Sequence, residues 1–244
     1  MCEIMNQENS STSSTDSELI GIQQLLLGRF SLLLLSLLVL LIAASFSDGA
    51  LISKIVFCLG LTSLLLVAVI TICRRHKDLL SFGLALAIPT LLLSWVMPFL
   101  NHFLVGIFHN LFIMLFFLFV SYHILHAVLN DDDVSLDTIR GAVCVYLFAG
   151  IGWAYLYDTL LIIDANSFEI AALTEDSIGT HIIDTIYFSF VTLSGLGYGD
   201  QVPITRPAKL AACIEVIFGQ FFVAVLVARL VGLHLRNRHE NSSP

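Results

Sequence analysis

"TLSGLGYGD", residues 192–200, decides how this chain is read. Glycine stands at 195, 197 and 199, with Leu196 and Tyr198 between and Asp200 behind. A simple tight turn needs one or two glycines, not three in alternation. A nucleotide-binding G-x-G-x-x-G loop needs a glycine where Asp200 stands, and no strand pattern leads into it. Alternating glycines permit left-handed φ at every second residue without steric cost. Such a backbone aims successive carbonyls to one side. Carbonyls stacked in this way around a symmetry axis replace the water shell of a cation.

The rest of the chain is mostly apolar. Of its 244 residues, 57% are hydrophobic and only 12% charged, and the mean hydropathy is +0.92. That composition describes a multi-pass membrane protein, not a soluble domain. The length holds about six spans of roughly 20 residues each. The net charge of −8 provides no basic face for nucleic acid. Cysteines at 2, 58, 73, 144 and 213 form no C-x-x-C pair and read as small apolar packing residues. Catalytic triads, paired carboxylates with a cleft and phosphate loops are lacking, so neither enzyme activity nor a cofactor is expected, and ions are the only small-molecule substrates.

Apolar segments run over 29–46, 51–73, 79–96, 103–125, 136–163 and 207–235, with Pro89 an expected kink in the third. Basic residues at 74–77, Arg140, Arg236 and Arg238 predict one cytoplasmic side, with both termini on it. Lys54 is expected to snorkel to the outer interface. The polar stretch 1–19 is expected to be a disordered, uncleaved cytoplasmic tail. Residues 20–130 then make a four-helix region, 131–235 a pore domain, and 236–244 a short cytoplasmic tail. The acidic run 130–133 reads as a linker capping the fifth helix. Trp153, Tyr155 and Tyr157 fit an outer aromatic belt. Histidines 102, 109, 123 and 126 read as interfacial or packing residues; His123 and His126 share a face but lack a third ligand.

Residues 164–206 differ. They hold a helix-like run, "HIIDTIYFSFVTLS" (181–194), and then the glycine motif. The segment is too short for two full spans. A half-helix that enters the membrane and returns as extended chain fits, provided protein buries it or water lines it.

Residues 187–200, "YFSFVTLSGLGYGD", resemble the pore helix and selectivity filter of potassium channels, whose usual filter is Thr-Val-Gly-Tyr-Gly-Asp. The flanking stretches "DTIRGAVCVYLFAGIGWAYLYDTL" and "IEVIFGQFFVAVLVARLVGL" are similar to the helices around the pore in bacterial six-span members of the two-pore-domain-like ion channel family. The resemblance covers roughly 134–235. It implies an all-α membrane protein of six transmembrane helices, with a re-entrant pore helix and filter loop between the fifth and sixth. It further implies a homotetramer in the cell (inner) membrane, conducting potassium passively. Gly195, Leu196, Gly197 and Tyr198 would present carbonyls to K+, and Gly199 would complete the filter. Tyr187, Phe188, Thr192 and Asp200 would support it, with the Tyr198 ring packed on Tyr187 or Phe188. Many relatives carry tryptophan in this part of the pore helix, so the Tyr-Phe pair leaves the partner of Asp200 open. By the same alignment Gln220, Val223 and Val227 would line the inner path. Gly219 would be a gating hinge or a packing glycine. Glu215, at a depth where an isolated carboxylate costs about 2–3 kcal/mol, would be a structural hydrogen-bonding group or a gating group.

Gly195 stands where threonine is usual, which implies a missing hydroxyl at the innermost ion site. A non-selective cation channel and a non-conducting channel subunit are the alternatives. Segment 103–125 contains no lysine or arginine, so steep voltage dependence has no source there.

Overall fold

The computed structural model describes residues 28, 30–45, 51–73, 80–97, 102–130, 135–170 and 182–240. Among them are seven α-helices: α1 (Ser31–Ser45), α2 (Leu51–Cys73), α3 (Leu80–Val96), α4 (Phe103–Asn130), α5 (Leu136–Ile163), α6 (Ile182–Leu193) and α7 (Arg206–Glu240). Two short strands, β1 (Phe168–Ile170) and β2 (Gln201–Pro203), pair antiparallel with Phe168 opposite Pro203 and Ile170 opposite Gln201. The fold is therefore all-helical apart from one ribbon.

Helix is the form in which a single apolar segment satisfies its own backbone. Polar side chains inside the segments follow the same economy. Thr62, Thr71, Thr90 and Ser94 each return their hydroxyl to the carbonyl four residues back. α5 begins at Ser135, in extended conformation, whose hydroxyl accepts from Thr138 N at 3.1 Å. That serine, rather than the acidic run, caps the fifth helix.

Helices Phe103–Asn130, Leu136–Ile163 and Arg206–Arg229 are long and apolar enough to cross a membrane; the apolar described stretches of α1, α2 and α3 are shorter. α7 runs on through Glu240, into the segment expected to be tail. Residues 1–19, the basic cluster 74–77, the acidic residues 131–133 and the side chains of Lys54, Arg236 and Arg238 lie outside what is described.

α4 and α5 pack along each other, α1 lies on α2 and α5, and α3 lies on α4. Their shared core includes Leu33, Leu37, Leu61, Phe116, Phe117 and Phe148. The start of α1 is fastened to the start of α5: Phe30 N donates to Asp137 Oδ1 (3.1 Å) and Arg140 Nη1 to Ser31 Oγ (2.9 Å). A second, smaller cluster of Tyr157, Phe168, Phe188, Ala208 and Ala211 joins α5, β1, α6 and α7. It holds α6 in place, and α6 holds the glycine motif.

Candidate functional site

α6 buries Thr185, Ile186, Phe188, Ser189, Thr192 and Leu193. Its last turn leaves carbonyls without intrahelical donors. The glycine motif supplies them. Ser194 N donates to Phe190 O (3.1 Å), Gly195 N to Thr192 O (2.9 Å), and Leu196 N to Val191 O (3.0 Å), with Gly197 N 3.4 Å from the same oxygen. The amides thus turn back toward the helix. Gly195, Gly197 and Gly199 take φ of +75°, +59° and +78°, and no described non-glycine residue has positive φ. This is the alternation the sequence predicts. The carbonyls of Gly195, Leu196, Gly197 and Tyr198 accept no hydrogen bond among the described residues, and residues 194–200 are all exposed.

Asp200 finds its partner in Tyr187, whose hydroxyl donates to Asp200 Oδ2 at 2.7 Å. The loop's outer end is thereby tied to the helix that starts it. The ribbon adds a second tie, because Ile204 N donates to Ser167 O (2.8 Å) just beyond β2. Phe188 is not a prop for Tyr198. Its ring lies 5.0 Å from both Tyr157 and Phe168, inside the smaller core. Tyr198 is 66% exposed, so the expected packing of its ring on Tyr187 or Phe188 is not made within one chain. Behind Gly197 and Gly199, a cavity of about 240 Å³ opens between Tyr187, Val191, Thr192, Pro203 and Ala212.

Glu215, in α7, is fully buried. Tyr157 Oη donates to its Oε2 at 2.5 Å, and Ser189 Oγ hydrogen-bonds its Oε1 at 2.5 Å. Ser189 Oγ also lies 2.7 Å from the Gly150 carbonyl. One carboxyl group therefore joins α5, α6 and α7 behind the glycine motif, which is the structural alternative of the two the sequence left open. Gly219 also sits in a close contact. A Cβ there would stand 2.0 Å from the Leu193 carbonyl oxygen, and α7 passes through without a break. The two backbones approach closely at this glycine, as the packing alternative expects. Gln220 donates from Nε2 to Ser194 O (3.2 Å), so it reaches the base of the motif. Val223 and Val227 are exposed on α7.

A second polar site escaped the sequence. Buried between α3, α4 and α5, His109 Nε2 meets Ser94 Oγ (2.9 Å) and His109 Nδ1 meets Asn110 Oδ1 (3.2 Å). Asn110 Nδ2 donates to Asp158 Oδ2 (2.7 Å) and Thr159 Oγ1 (3.2 Å). The available signal was an acid and an amide inside apolar spans. Tyr155 and Tyr157 are buried, which corrects the aromatic-belt reading for both. His123 packs edge-on against Phe119, His126 hydrogen-bonds Asn130, and no group of metal-ligating side chains occurs among the described residues. Cys58 and Cys144 are free and buried, as packing residues should be, while Cys213 is free and exposed.

A family profile described as "Ion channel" matches residues 141–234. Over 61 residues the chain is 38% identical to two-pore potassium channel 1 of Arabidopsis thaliana, covering 23% of this chain and 17% of that one. Over 60 residues it is 40% identical to two-pore potassium channel 4 of the same plant, covering 25% and 21%. Over 49 residues it is 41% identical to two pore potassium channel a of Oryza sativa subsp. japonica, covering 20% and 14%. The chain thus spans only a minor part of each relative's length. No solved structure matches it significantly. The profile and the relatives together point to a multi-pass membrane ion channel and not to an enzyme, with residues 141–234 as the segment that carries the likeness.

Proposed function

We propose that this chain supplies one wall of a potassium-selective channel, a homotetramer in the cell membrane with six spans per chain and both termini cytoplasmic. The observation that carries the reading is the row of carbonyls at Gly195, Leu196, Gly197 and Tyr198. They accept no hydrogen bond among the described residues, and the left-handed glycines around them turn the amides away. Rings of such carbonyls are what a dehydrated cation requires. The matched relatives are potassium channels by name. The tetramer is supported by the motif itself: residues 194–200 are all exposed and Tyr198 is 66% exposed, so one chain alone encloses no ion path.

The test is ion flux. Purified chain in liposomes should carry potassium down its gradient, with a reversal potential that follows potassium and not sodium, and should migrate as a tetramer. A reversal potential that follows both ions alike would replace this reading with a non-selective cation channel, the alternative that the bare Gly195 favours. Absence of any flux from the tetramer would leave a non-conducting subunit.

A further inference from the structure

Gln220 reaches the base of the glycine motif over the side of Gly195 that carries no side chain. A Cβ at Gly195 would lie 2.9 Å from Gln220 Nε2. The amide group therefore sits in the space that a side chain at 195 would use. Its nitrogen end is committed, donating to the Ser194 carbonyl at 3.2 Å. Its oxygen end accepts no hydrogen bond among the described residues. Gln220 is exposed in the single chain, on the turn of α7 where Gly219 presses against the Leu193 carbonyl. That backbone contact fixes the height of Gln220 against the motif. A carboxamide oxygen is a hard, neutral ligand of the same kind as a backbone carbonyl, suited to alkali and alkaline-earth cations.

We propose that Gln220 Oε1 is a side-chain ligand for the permeant cation at the cavity end of the motif, supplied by α7 because Gly195 has no side chain to supply one. The innermost site is then not merely short of a hydroxyl. It is completed from another helix, and its occupancy is linked to the position of α7 through the Ser194 hydrogen bond.

The inference rests on the potassium-channel reading, and the experiment separates the two. Full-length protein is recorded in planar bilayers with potassium on both sides and barium, a divalent cation of potassium's size, applied from the cavity side. Gln220→Met keeps the length of the side chain and removes the amide; Gln220→Glu keeps the shape and adds charge. Barium block, read as the ratio of blocked to unblocked current within each variant, should weaken by about tenfold or more in Gln220→Met and strengthen by a similar factor in Gln220→Glu. Unchanged block in Gln220→Glu overturns the proposal, even if Gln220→Met fails to assemble. Equal weakening in both variants also overturns it, since it would mean that Gln220 acts only by holding Ser194. Failure of wild-type protein to carry potassium would sink the channel reading itself, a result distinct from either.

Discussion

The helices α1–α5 and the helix α7 bury themselves very differently. In their most apolar stretches α4 is 39% and α5 50% buried, against 11% for α7. The first group makes its own core, with Phe116, Phe117 and Phe148 fully enclosed. α7 leaves Leu210, Ile217, Phe221 and Val225 bare. What it does bury is local: Glu215, Gly219 and the residues beside α6. The first region closes around that core while its outer faces, Leu92 and Leu118 among them, stay exposed. The second is built against α6 on one side and left open on the others.

That contrast breaks most sharply at the glycine motif. Gly197→Ala or Gly199→Ala should abolish potassium flux in liposomes while membrane insertion and yield stay normal. A Cβ at either position meets nothing within 4 Å in the single chain, so the penalty is the left-handed backbone alone, roughly 1–2 kcal/mol per chain. Normal selective flux from either variant would refute the assignment of the carbonyl row.

Next in size is Gly219→Ala. The added methyl would collide with the Leu193 carbonyl, a backbone atom that cannot swing aside. Overpacking of this kind costs about 1–3 kcal/mol, read as a lower melting temperature in detergent and weaker assembly. Gly232→Ala, on the same helix with open space around it, should change neither. If the two variants behave alike, close packing is not what Gly219 is for, and the hinge reading returns.

Asn110→Leu tests the other half of the comparison. It removes the hydrogen bonds to Asp158 and Thr159 from a site away from α7. Removing one donor from a buried carboxyl group costs about 1–3 kcal/mol, and more when the group is charged. Thermal stability should fall, while ion selectivity stays as in wild type. A change in selectivity would show that the two regions are not independent.

The smallest effect is expected from Tyr187→Phe. The variant loses the hydrogen bond to Asp200 but keeps the ribbon tie at Ser167 and Ile204. Open times in single-channel records should shorten, with potassium selectivity retained. Unaltered open times would mean that the ribbon alone steadies the outer end.

Much of this was legible in the chain itself, for identifiable reasons. The long apolar runs mark their helices because nothing else satisfies a backbone in oil. The alternation of glycines announces its left-handed φ values because few other residues adopt them. What stayed hidden were distances between segments. Tyr187 and Phe188 are neighbours in sequence, yet one binds Asp200 and the other enters the core; a single helical step of about 100° separates those fates. Whether Gly219 bends or packs depends on where Leu193 lies. Asp158 and Asn110 belong to different helices, and no period or motif links them.

The exposed motif has a consequence for how chains come together. Two lipid-facing apolar helices gain little by meeting, because lipid tails are as oily as leucine. The bare side of α7 is therefore a poor driving force for assembly within a bilayer. The carbonyl row is another matter. An isolated chain in a membrane would hold unpaired oxygens at Gly195, Leu196, Gly197 and Tyr198, each costing several kcal/mol wherever oil reaches it. Enclosing those oxygens around cations removes the cost. In the proposed channel the permeant ion would then be a subunit glue, and depleting potassium before detergent extraction should yield more single chains than extraction in its presence.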